Sequence, residues 1–211
     1  MGLDLRVYET EKMRVEICET KVTKIFKDSP SSKKRYTLER DALERLKGIN
    51  GFPQIISSQS KTKTITMSYV DGENKSQLTD LSLLNLKALV VNMLNAGVAR
   101  HTIRERDLLI NESCDVSMVD FERTTLRNHR FSFSWFIAKQ VTEYHLIRVI
   151  WNHNSALLTQ EEAQALERFT NIRHKLQKLK LVRSFFRKFY RSKKKPGNYT
   201  SKFKRENNRK S

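Results

Sequence analysis

Along the first third of the chain, hydrophobic and polar positions alternate. Val7, then Met13, Val15 and Ile17, then Val22 and Phe26 around Lys24, recur at period two and predict a meander of about three strands between Arg6 and Phe26. Asp28-Ser-Pro-Ser-Ser interrupts the alternation as a turn. From Lys33 to Lys47 the spacing of Tyr36, Leu43 and Leu46 predicts a helix, with Gly48 as its stop. Phe52–Ser57 and Thr62–Val70 read as two further strands, the second rich in β-branched residues and followed by the turn Asp71-Gly72.

From Leu81 to Ala96 the period changes. Leu81, Leu83, Leu84, Leu86, Leu89, Val90, Val91, Met93 and Leu94 leave almost no polar face, which predicts a buried helix closed by Gly97. Two short apolar runs, Leu108–Ile110 and Val116–Val119, flank Asn111-Glu-Ser-Cys-Asp, the arrangement of a hairpin at a working face. Beyond it Trp135–Trp151 is an amphipathic helix, and Thr159-Gln-Glu-Glu162 is a capping box opening the next. A β-rich region followed by a helical one makes the chain α+β.

Composition changes this picture at one end. Of the 211 residues, the part from Arg173 onward carries 16 Lys/Arg against one acid, while Met1–Ile172 has 25 basic and 22 acidic residues. The net charge of +18 therefore belongs to a tail and not to the folded body. Within that tail Leu176, Leu179, Val182, Phe186 and Phe189 recur in steps of three or four among Lys175, Lys178, Arg183, Arg187 and Lys188, the pattern of a basic amphipathic helix. Lys178, Arg183, Phe186, Arg187, Lys188 and Phe189 are its candidate membrane-binding residues. Anionic lipid suits such a helix better than nucleic acid because its phenylalanines share a face, although the interleaved aromatics could also stack bases. No stretch reaches the length of a membrane span, and Met1–Glu11 lacks an apolar leader core, so the expectation is a cytoplasmic protein peripheral to the inner membrane. Cys18 and Cys114 match no metal or disulfide spacing and are expected to be buried thiols.

The candidate chemistry sits in Gly97-Val-Ala-Arg100-His101-Thr102-Ile103-Arg104-Glu105-Arg106-Asp107-Leu-Leu-Ile and in Asp120-Phe121-Glu122. The first resembles the protein-kinase catalytic loop, with Asp107 where that family has Asn and Thr102 where it has the loop Asp. The second resembles Asp-Phe-Gly, and the 13-residue separation of Asp107 from Asp120 fits the family's two metal-ligand positions. The resemblance covers roughly Val22–Arg123. It implies a two-lobed protein-kinase-like fold, with a β-rich N-lobe over 1–72, a helical C-lobe over 73–172 and the basic segment over 173–211.

The same resemblance implies ATP and Mg2+ as cofactors, with Asp107 and Asp120 as metal ligands. Lys24 matches the phosphate-binding lysine and Glu39 its helix partner, with Lys21, Lys27 and Glu44 as alternatives. Met67, Tyr69 and Val70 match the strand and hinge against which adenine stacks, and Arg104 the loop residue that neutralises the transferred phosphoryl group. Arg100 and Arg106 are expected to be solvated or phosphate-binding. Asp-Phe-Glu-Arg resembles the ending of lipopolysaccharide-core and Kdo kinases, small Rio-like relatives of the protein kinases, which implies a sugar acceptor such as lipopolysaccharide at the inner membrane. Two departures stand against full activity. No glycine other than Gly2 precedes residue 48, so the first hairpin lacks a phosphate-cradling loop. Thr102 cannot act as a base near neutral pH, which leaves His101 for that role or makes the protein a pseudokinase.

Overall fold

The computed structural model describes residues 6–75, 77–129 and 132–171. Met1–Leu166 form one compact unit, and a second begins at Glu167, of which 167–171 are described. The candidate membrane-binding residues Lys178, Arg183, Phe186, Arg187, Lys188 and Phe189 lie outside the described residues.

The predicted meander forms as β1 (Arg6–Glu9), β2 (Met13–Ile17) and β3 (Lys21–Phe26). After the turn comes α1 (Ser32–Arg45), then β4 (Ile55–Gln59) and β5 (Thr64–Ser68), giving an antiparallel sheet of order β1-β2-β3-β5-β4. In this order β3 and β5 lie inside the sheet, each paired on both edges, and Lys24 stands opposite Ile65. The strand expected over Phe52–Ser57 begins later, at Ile55. Phe52 itself is 3% exposed in the core, and a shift of register between Ile55 and Ser57 bends β4 onto its partner. Helix α1 buries Tyr36, Glu39, Ala42 and Leu43 on one face, and Tyr36 meets Phe26 edge-on at 6.1 Å.

Gly72 links this sheet to the helical region. Its φ of +125° suits glycine alone, and a Cβ there would come within 2.9 Å of the Ile110 backbone. Close approach is needed because Glu73 and Ile110 exchange two backbone hydrogen bonds.

Helix α2 (Asp80–Asn95) is capped by the Thr79 hydroxyl, which accepts from the Ser82 N–H at 3.2 Å. It is not buried all round. Leu83, Leu86, Leu89, Val90 and Met93 are in the core, but Leu81, Leu84 and Val91 are about half exposed, since only one face meets neighbouring elements. Short strands β6 (Val98–Arg100) and β9 (Thr124–Leu126) pair with each other, as do β7 (Leu108–Ile110) and β8 (Val116–Met118). Only 127–132 separate β9 from α3 (Phe133–Asn154). Thr142 of α3 donates to the Arg100 carbonyl at 2.7 Å, fixing this helix against β6.

The expected capping box is formed: the Glu162 N–H donates to Thr159 Oγ1 at 3.2 Å and the Thr159 N–H to Glu162 Oε2 at 2.9 Å, opening a helix at 160. The cysteines depart from expectation. Cys18 and Cys114 are half-buried, because both fall in turns beside short strands and not within a packed element. No described helix is long and apolar enough to cross a membrane.

Candidate functional site

Three elements converge on Lys24. Its side chain shares a strand face with Phe26, so period two turns it under the sheet toward α1, while Lys21 is exposed and Lys27 half-exposed. There Lys24 Nζ donates to Glu39 Oε1 at 2.6 Å and lies 3.6 Å from Asp120 Oδ1. Glu39 is 1% exposed, in helical register with buried Tyr36 and Leu43, whereas Glu44 is exposed. Burial alone would lower the Lys24 pKa, but the Glu39 and Asp120 carboxylates outweigh it and hold the ammonium above its usual value. Burial likewise pushes the Glu39 carboxyl up, against the pull of Lys24.

Asp120 adopts φ +69°, a left-handed backbone that costs a non-glycine residue energy and that the surroundings must enforce. The next residue supplies the enforcement. Phe121 is fully buried, edge-on to Phe52 at 5.8 Å, with the Thr124 hydroxyl donating to its carbonyl at 3.1 Å. Glu122 stands where the resemblance has glycine, and its Oε2 takes Arg35 Nη1 of α1 at 3.3 Å, both side chains about one-tenth exposed. Arg35 and Glu39 are four residues apart on one helix face. Helix α1 is thus joined to the rest of the site by two buried ion pairs, one to β3 and one to Asp120-Phe121-Glu122.

Arg100 is not solvated. It is 5% exposed, its Nη2 paired with Asp107 Oδ2 at 2.7 Å, its Nη1 donating to the Val119 carbonyl at 2.8 Å, its guanidinium 5.4 Å from the Phe121 ring. The cause is its seat on β6, between the core and the strand that leads to Asp120, which sequence alone could show only as the apolar neighbours Val98, Ala99 and Ile103. Arg106, by contrast, is exposed. Asp107, in a short 3-10 turn at 105–107, also accepts the Val119 N–H through its carbonyl at 3.0 Å, so loop and hairpin are stitched together on both sides.

Around this centre His101 is exposed, with Nε2 at 2.8 Å from Thr125 Oγ1, and Thr102 and Arg104 are half-exposed on the same loop. Met67 is buried on β5, and Tyr69 and Val70 lie between it and Gly72, half-buried. The β1–β2 turn holds its own backbone donors: the N–H groups of Lys12 and Met13 both go to Thr10 Oγ1, at 3.3 and 3.1 Å. A phosphate would find fewer free amides there than at a glycine-rich loop.

One buried oxygen tests the fit of a cation. Asp120 Oδ1, 3.6 Å from Lys24 Nζ, makes no hydrogen bond, whereas the carboxylate of Glu39 is drawn on by Lys24 and by the Phe121 backbone. Among the described residues no cluster of three or more His, Cys, Asp or Glu gathers as a metal cage. The Asp120 oxygen is of the hard type that Mg2+ takes, an ion commonly held by one or two carboxylates with phosphate oxygens and water completing its shell.

No protein-family model matches the sequence, and no curated protein matches it. Among solved structures the chain is similar to WbdD in a co-crystal with the kinase inhibitor LY294002, with a TM-score of 0.51 and 11% identity over 79% of this chain and 45% of that one. A 2.2 Å crystal structure of WbdD gives 0.50 and 12% over 81% and 46%. The chain thus spans less than half the length of WbdD. At such identity the likeness concerns the fold: α+β, two-lobed and protein-kinase-like, with a small β-rich lobe and a helical one.

Proposed function

We propose that the chain is a kinase-like phosphotransferase that binds ATP with Mg2+ and phosphorylates a sugar-class acceptor, such as lipopolysaccharide, at an anionic membrane surface. The observation that carries this reading is the buried Lys24–Glu39 pair with Asp120 at its edge. A kept ammonium 3.6 Å from a carboxylate oxygen that makes no hydrogen bond is the charge arrangement that nucleotide phosphates and a divalent cation complete. The fold-level likeness to WbdD, a protein crystallised with a kinase inhibitor, supports the same reading by analogy.

On this reading Lys24 holds nucleotide phosphate oxygens, oriented by Glu39. Asp120, and Asp107 through Oδ1, which lies 3.7 Å from the exposed Arg106, would hold Mg2+, which when bound would supply charge neutralisation at the phosphates. Met67, Tyr69 and Val70 border the adenine. Arg104 offsets charge on the transferred group, and His101, oriented by Thr125, accepts the acceptor hydroxyl's proton. The basic segment with Lys178, Arg183, Phe186, Arg187, Lys188 and Phe189 brings the protein to the membrane.

A specific observation favours a second reading, a nucleotide-binding pseudokinase: Thr102 stands where a carboxylate would orient and deprotonate the acceptor. An ATPase assay of two variants separates the readings. His101→Ala abolishing activity supports the relocated base. If His101→Ala and Thr102→Asp are both inactive while ATP still binds, the pseudokinase reading stands; a rise on the order of 10²-fold in Thr102→Asp shows instead that the missing base limits a competent site.

A further inference from the structure

The segment between Asp-Phe-Glu and the middle of α3 has an unusual charge pattern. From Arg123 to Thr142 there is no acidic residue, and Arg123, Arg127 and Lys139 are exposed; the nearest acids bound the stretch, Glu122 3.6 Å from Arg123 and Glu143 3.7 Å from Lys139. Within the same stretch Phe133 is 77% exposed, Phe136 60% and Ile137 46%, which is the opposite of what burial of apolar area favours. These three lie at spacings of three and four, so they form one stripe on the first turns of α3, whose other face anchors Trp135 and Ala138 in the core. Directly before the stripe is an open cavity of about 450 Å³ lined by Arg127, Asn128, His129 and Trp135. Arg127 is held over the Trp135 ring at 5.7 Å and donates to the Asn95 carbonyl at 3.3 Å, so its cation is fixed in place at the cavity wall.

We infer that this face of the folded body, the Phe133–Phe136–Ile137 stripe with its rim cations Arg127 and Lys139, seats on an anionic membrane surface. The phenylalanines enter the acyl boundary while the cavity beside them receives a lipid phosphate. The charge decides the occupant: an apolar stripe meant for another protein has no need of a stretch free of acids, whereas an anionic bilayer rewards both the cations and the aromatics. This contact is separate from the basic segment beyond residue 172, and it shares with the proposed function only the membrane as partner.

The two contacts differ in their response to salt, which gives the test. The full chain is sedimented with vesicles of phosphatidylcholine, with and without phosphatidylglycerol, at low ionic strength and at about 1 M NaCl, where screening acts within about 3 Å. Insertion of the stripe predicts that binding persists in part at high salt, and that Phe133→Ser/Phe136→Ser removes the persisting part, on the order of tenfold in partition coefficient. Arg127→Gln is expected to lower the preference for phosphatidylglycerol while leaving the neutral-lipid partition unchanged. Unchanged melting shows that each variant still folds, as exposed side chains should allow. Equal binding by the double serine variant and wild type at high salt overturns the inference. So does complete loss of wild-type binding at high salt, which leaves an electrostatic tail alone. A wild-type dimer in sedimentation velocity that the double variant dissolves would make the stripe a contact between copies and would also overturn it.

Discussion

Glu122→Gln tests whether the residue after Asp120-Phe121 holds α1 in position. The substitution keeps volume and one accepting oxygen but removes the charge that faces Arg35 Nη1 at 3.3 Å. Arg35 keeps a hydrogen bond to Ser29 Oγ at 3.2 Å and its place 5.8 Å from the Phe26 ring, but its Nε already has no partner. Removing one member of a buried pair costs about 3–5 kcal/mol. A single contact at 3.3 Å, with the glutamine oxygen retained, sets the expected loss at about 2 kcal/mol. In a unit the size of Met1–Leu166, each kcal/mol moves the Tm by about 2–4 °C, so the variant should melt about 4–8 °C lower. Arg35→Gln and the double variant complete a cycle, read by urea or thermal unfolding, with an expected coupling of about 1–2 kcal/mol. Coupling below about 0.5 kcal/mol, or single variants melting within about 1 °C of wild type, would refute the reasoning.

Lys24→Met leaves Glu39 buried without its ammonium. Its raised carboxyl pKa then favours the folded state at low pH and loses that effect as pH rises through the folded value, so the variant's Tm should climb as pH is lowered from neutrality; a flat profile contradicts this. At the helix opening at 160, burial would raise the Glu162 carboxyl, yet hydrogen bonds from Lys87 and the Thr159 N–H outweigh it and hold it low. That contribution is present above the ordinary carboxylate value and fades as pH falls through the lowered one. Glu162→Gln, which removes the charge those bonds stabilise, should cost about 0.5 kcal/mol near neutral pH and less in acid, by thermal unfolding.

Much of the architecture is legible in local pattern because each early element has one face in the core. Lys24 is distinguishable from Lys21 and Lys27 by the alternation around Val22 and Phe26, and Glu39 from Glu44 by its register with Tyr36 and Leu43. What local pattern cannot supply is the partner of a polar residue far away in sequence. Arg35 and Glu122 are 87 residues apart, and before folding Glu122 reads only as a departure from glycine. The burial of Arg100 escapes local pattern for the same reason: it comes from β9, α3 and the hairpin closing around a three-residue strand. Helix α2 departs in the opposite direction, since a nearly continuous apolar run says nothing about which neighbours arrive to cover Leu81, Leu84 and Val91.

The central claim, that Lys24, Glu39 and Asp120 form a nucleotide site, is tested most directly by isothermal titration of ATP with Mg2+ into the full chain. The geometry predicts a saturable isotherm in wild type and at least a roughly tenfold weaker one for Asp120→Asn, the scale of one charge-assisted contact. Absence of any binding heat in wild type, or equal isotherms for wild type and Asp120→Asn, would contradict it.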